Sequence, residues 1–298
     1  GGIILSKTKY TYAVARIRAL EVSLLTNAVI EQLLACKSAE QALQLLVEKG
    51  WGDLTAGTLD ADEVLNKEEE KVWQTIREVA PDMHVFDVLS LPKLYHNLKA
   101  AIKEVCTEVE NKNIFYDDCE ISGEEMYAIV QNKEFDKLPG NMPATAREAF
   151  DTLLHTRDGQ LCDLIIDRAT LEAMLEAGKK SGEKIIEEYA QTAVAIADIK
   201  IAVRSQKTEK NADFMKKAMV NCSEINVDQL TQAALAGAEE IAQYLEGTSY
   251  REGADALRIS PSAFERWCDN KMTDSMRSQK YESFFCWTAS GISVSQTK

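Results

Sequence analysis

The decapeptide 95-YHNLKAAIKE-104 decides the fold, because its centre, Asn97-Leu-Lys99-Ala-Ala-Ile-Lys103, occurs more than once. Asp198-Ile-Lys200-Ile-Ala-Val-Arg204 repeats its order. Each has a short polar residue, an aliphatic, a cation, two small or apolar residues, a β-branched aliphatic and a second cation. A looser copy is Tyr12-Ala-Val-Ala-Arg16-Ile-Arg18-Ala-Leu-Glu21. It sets Tyr12 against Tyr95, Arg16 against Lys99 and Glu21 against Glu104, with Leu20 replacing the second cation. Residues four apart share one face of a helix, so each stretch reads as a helical stripe.

The likeness continues downstream. Cys36 precedes Ser38-Ala-Glu-Gln41, Cys119 precedes Ser122-Gly-Glu-Glu125, and Cys222 precedes Asn226-Val-Asp-Gln229. Each tetrapeptide has the form of a helix N-cap. An aromatic residue then closes each copy: Trp51, Phe135 and Tyr250. Self-similarity of this kind predicts three related helical modules, at residues 7–80, 81–180 and 181–280, followed by an atypical tail at 281–298.

Apolar residues recur with helical spacing along nearly the whole chain. Helices are predicted over residues 10–36, 38–50, 68–79, 93–110, 123–132, 143–155, 160–178, 181–205, 211–220, 227–247 and 260–271. No alternating strand pattern longer than four residues interrupts them. With 14 glycines and 5 prolines in 298 residues, helix breakers are few, and the expected fold class is all-α.

The bulk chemistry narrows the function. Apolar residues make up 45% and charged residues 28% of the chain, enough of each for a packed globular core. A formal net charge of −14 disfavours a nucleic-acid partner, which needs a basic footprint. No apolar run reaches the roughly 20 residues of a membrane span, and Ile3–Leu5 is too short for a signal-peptide core. The seven cysteines are scattered and never spaced C-x-x-C, which reads as buried thiols in a reducing, cytoplasmic setting.

Catalytic and ligand motifs are not met. His84, His96 and His155 lack both H-E-x-x-H spacing and a glutamate three residues before them, so no metal is expected. Gly178-Lys-Lys-Ser-Gly182-Glu-Lys184 has glycines and lysines, but not the order of a phosphate loop, and no strand precedes it. Asp60-Ala-Asp62-Glu63 and Glu68-Glu-Glu70 lack calcium-loop spacing and read as solvated faces. No cofactor and no small-molecule substrate is expected.

The three landmarks resemble those of the C subunit of the V-type/A-type ATP synthases, the equivalent of the d subunit of the eukaryotic vacuolar ATPase. The resemblance covers roughly residues 7–280, and the middle landmark carries most of its specificity. It implies a funnel of three modules about a pseudo-threefold axis and a non-catalytic role. Its implied partners are the central-axle subunits, received in a socket, and the membrane rotor ring, capped on its cytoplasmic face. Such a piece would transmit torque between ATP turnover and proton or sodium transport, attached to the membrane only through the ring. Members of the family close on Glu-Pro-Leu-x-x-Tyr and Glu-x-Glu-Ile-Lys-x-Val-Arg patterns. Tyr281–Lys298 departs from both, has no helical period and carries only Glu282 and Lys298 as charged residues.

The candidate site residues are Arg16, Lys99, Lys103, Lys200 and Arg204, with two readings open. They pair with acids on adjacent helices and hold the modules together, or they contact the axle or ring. The alternative function is a helical-repeat scaffold that binds a protein partner. Its usual repeat of about 34 to 47 residues is shorter than the spacing of the landmarks here.

Overall fold

The computed structural model describes residues 11–52, 60–80, 82–109, 114–116 and 118–277. All the regular structure among them is helical, with no strand, as the periodicity predicts. The described parts of residues 1–83 and 273–298 form one compact unit, and residues 84–272 form another.

In the first unit lie Thr11–Leu20 (α1), Asn27–Leu34 (α2), Ala39–Glu48 (α3) and Ala61–Val79 (α4). The long helix expected over residues 10–36 is broken. Glu21–Ser23 tightens into a 3₁₀ turn, Ser23 Oγ donates to Leu20 O at 2.6 Å, and Thr26 Oγ1 caps α2 by accepting from Val29 N. The capping threonine sits inside a continuous apolar pattern, which hides it in the sequence. Ser38 Oγ accepts from Gln41 N, and Gln41 Oε1 accepts from Lys37 N, so the predicted start of α3 stands. α4 starts seven residues before its predicted start because Asp60 Oδ1 accepts from Asp62 N and Glu63 N. An acidic cluster expected to be a solvated face thus includes a cap, placed where negative charge suits a helix N-terminus. Glu68 Oε1 then accepts from Gly52 N at 2.9 Å, which ties the close of α3 to the side of α4.

The second unit begins with Asp87–Thr107 (α5), which extends ahead of its predicted start at Lys93. Pro92 lies on the exposed side, and its missing N–H costs this helix one bond without ending it. Gly123–Gln131 (α6), Met142–Thr156 (α7) and Gly159–Lys180 (α8) follow. Leu98, Ile102, Met126, Val130, Ala146 and Ile166, all 0% exposed, join these four helices in one core. Lys184–Lys207 (α9), Ala212–Ala218 (α10), Val227–Ala236 (α11), Ala238–Glu246 (α12), Arg251–Ile259 (α13) and Pro261–Arg277 (α14) follow, α14 belonging to this unit through Met272. A second core joins Ile199, Ala202, Met215, Leu230, Leu245, Ala254 and Phe264.

Three glycines account for local features. Gly237 has φ +153°, a conformation that side chains disfavour, and it divides the single helix expected over 227–247 into α11 and α12. At Gly178 a Cβ would lie 2.6 Å from Ala190 Cβ, so the missing side chain lets α8 and α9 approach closely. The short α13 falls between the predicted helices; its Gly253 packs under the Trp267 ring, where a Cβ would lie 2.7 Å from ring carbons. The atypical tail at 281–298 and Cys286 lie outside the described residues.

Candidate functional site

The candidate cations of the second unit sit on its two longest helices apart from α8, at matching places. On α5, Lys99 Nζ donates to Asp167 Oδ1 at 2.5 Å. One turn later Lys103 Nζ lies 2.7 Å from Asp163 Oδ1 and donates to Oδ2 at 2.8 Å. The numbering runs up on α5 and down on α8, 99 to 167 and 103 to 163, which is the register of antiparallel helices. The i,i+4 spacing of the lysines therefore finds i,i+4 aspartates across the seam. On α9, Lys200 Nζ donates to Glu265 Oε2 of α14 at 2.6 Å. Partner and lysine stand 68 residues apart in the first case and 65 in the second.

Arg204 and Arg16 are exposed and form no ion pair among the described residues. On α1 it is Arg18 that pairs, with Glu21 at 3.3 Å. The structure thus brings three of the five candidates onto carboxylates of neighbouring helices and leaves two in solvent. All three pairs are partly exposed, so each contributes of order 0.2–1 kcal/mol. Burial alone would lower the Lys200 ammonium, but the hydrogen bond to Glu265, with the Glu265 and Asp269 charges near, holds it above its usual range.

Beneath these pairs lie buried thiols. Burial, with Asp163 adding, pushes Cys162 up to about 11, and burial pushes Cys268 up to about 12. Both stay protonated at neutral pH and are poor nucleophiles. The six described cysteines are free.

In the sequence pattern the residue two places before each first lysine is no more than short and polar, yet these residues prove to be the buried anchors. Asn97 is 0% exposed. Its Nδ2 donates to Tyr116 O and its Oδ1 accepts from Tyr116 N, both at 2.9 Å. Asp198, also 0% exposed, accepts from Val220 N through Oδ1 at 3.1 Å, while its Oδ2 has no hydrogen-bond partner. The available signal was position: Asn97 lies on the stripe of Leu94, Leu98 and Ala101, where a polar group needs a partner. In the α1 copy Val14 takes this place, and Tyr12 is 71% exposed where Tyr95 is 2% exposed. Burial, with Glu172 and Glu176 adding, pushes the Tyr95 hydroxyl up to about 12.

The remaining polar candidates are local. His96 Nε2 donates to Ile114 O at 2.9 Å and meets the Tyr116 ring edge-on. Lys179 and Lys180 fall in the last turn of α8, whose carbonyl end repels a phosphate rather than cradling it. Among the described residues no group of three His, Cys, Asp or Glu side chains could hold a metal ion. No helix among them is long and apolar enough to cross a membrane.

Residues 13–286 match the model of a protein family described as ATP synthase (C/AC39) subunit. Among curated proteins, the C subunit of the V-type sodium ATPase of Enterococcus hirae is 22% identical over 238 residues, covering 79% of this chain and 73% of that protein.

Proposed function

The chain belongs to the ATP synthase (C/AC39) subunit family, and from that premise we propose that it is the central-stalk C subunit of a V-type rotary ATPase. In this reading it is non-catalytic and couples the axle subunits to the membrane rotor ring at the cytoplasmic face. It carries torque between ATP turnover and movement of protons or sodium. The observation that carries the reading is the family match over residues 13–286, which takes in nearly all of the three landmarks. The Enterococcus hirae relative, part of a sodium ATPase, supports the ion-transport setting.

The internal organisation supports a mechanical role. The two hydrophobic cores of residues 84–272 each rest on one landmark helix and one capped helix, as a second and a third module would. We place the first module at residues 7–80 and arrange the three as a funnel about a pseudo-threefold axis. A part under torque must keep its shape, and close-packed helices with few glycines resist deformation. The net charge of −14 suits basic surfaces on axle or ring, where complementarity governs encounter and register. Arg16 and Arg204, exposed and in no ion pair among the described residues, are the proposed partner contacts. Lys99, Lys103 and Lys200 are the proposed packing residues.

The test is co-purification with the axle subunits and with the ring. The reading expects the chain to be retained by both. Retention by neither would end it and leave the helical scaffold as the better account.

A further inference from the structure

The connection between α10 and α11, residues 219–226, is held to α9 through the side chain of Asp198. The equivalent connection after α5 is held by Asn97, whose amide both accepts from Tyr116 N–H and donates to Tyr116 C=O. Asp198 makes the first of these bonds, to Val220 N at 3.1 Å. Its second oxygen is fully buried and without a hydrogen-bond partner. A carboxylate offers only acceptors, whereas the neutral acid offers one donor and one acceptor, as an amide does.

We propose that Asp198 is a proton-operated latch: as the neutral acid it clamps both backbone groups of Val220, and as the carboxylate it holds only the N–H and loosens residues 219–226 from α9. The surroundings favour the neutral form. Tyr244 on α12 and Cys222 in the connection are kept protonated by burial. From α8 comes Arg168, whose Nη1 donates to Lys216 O at 2.9 Å and whose Nε donates to Glu172. On α10 and α11 the charges pair outward, Lys216 with Asp228 and Lys217 with Asp213. Burial pushes the Asp198 carboxyl up to about 7, with the Val220 bond and Arg168 opposing. The latch therefore changes state near neutral pH.

The sign follows from proton linkage. The folded chain binds the Asp198 proton more tightly than the unfolded chain, so the stability it contributes is full in acid and is lost as pH rises through about 7. Urea unfolding of the wild type, Asp198→Asn and Asn97→Asp at pH 5.5 and 8.5 tests this. The wild-type unfolding constant should rise about thirtyfold more than that of Asp198→Asn over this range. Asp198→Asn should be at least as stable as the wild type at pH 8.5. Asn97→Asp should acquire the same pH loss at the α5 connection. In the wild type, amide-exchange protection of Ser223, whose N–H donates to Gln191 Oε1 of α9 at 2.8 Å, should fall over the same range once corrected for the intrinsic pH effect, while that of Tyr116 holds. Equal pH responses of the wild type and Asp198→Asn, or an Asn97→Asp chain without added pH loss, would overturn the latch.

Discussion

On α5, Asn97 gives Tyr116 a donor and an acceptor; at the matching place on α9, Asp198 gives Val220 an acceptor alone. The two landmarks otherwise run in parallel, each with a fully buried aliphatic next in line and a lysine bound to a carboxylate on the last helix of its core. The difference shows what the landmark is for. The apolar residues fix the helix in its core, the polar residue fastens the next connection, and the lysines meet carboxylates of a neighbouring helix. Because these tasks are separable, each can be broken alone.

The largest effect should come from the aliphatic residues. Leu98→Ala and Ile199→Ala each remove a side chain that is 0% exposed. Each should cost roughly 2–5 kcal/mol in chemical denaturation. If the two helices are equivalent, the costs should agree within about 1 kcal/mol, well inside that spread; a wide gap would show that one core collapses around the cavity. The polar residues come next, and here the two sites should part. Asn97→Ala strands both backbone groups of Tyr116 and should cost about 2 kcal/mol at alkaline pH. Asp198→Ala at that pH also removes a poorly satisfied carboxylate, so its cost should be smaller. An equal loss would mean the carboxylate is better satisfied than its orphaned oxygen implies.

The N-caps follow. Ser122 Oγ accepts from Glu125 N and Asn226 Oδ1 accepts from Gln229 N. Replacing either by alanine should cost about 1 kcal/mol, and by glycine only a few tenths. The smallest effect belongs to the cations. Lys99→Glu and Lys200→Glu place like charges beside Asp167 and Glu265, and each should cost about 1 kcal/mol or less, diminishing with added salt. Thermal melting beside rotor assembly separates their two readings. A lower melting temperature with assembly intact places them in packing, and unchanged melting with lost assembly places them at a partner surface.

Much of this is legible in the sequence because it depends on local chemistry. Helical period and caps at Ser38, Ser122 and Asn226 identify elements that stand nearly where expected. Their ends are less legible: Thr26, Asp60 and Gly237 each reset a boundary through one side chain or one φ angle inside a favourable pattern. The site is legible by half. The repeat draws attention to the lysines, but Asp163, Asp167 and Glu265 become their partners only through tertiary packing across 60 residues or more. The repeat also overstates the likeness of its first copy, where Tyr12 faces solvent and a valine replaces the buried polar anchor.

A bridge between axle and ring is tested most directly by removing it. Axle subunits and detergent-solubilised rotor ring should be mixed with and without the chain, and the fraction of axle bound to the ring measured. Bridging requires axle–ring association that depends on the chain and saturates as the chain is added. Axle bound to the ring equally well in its absence would contradict it.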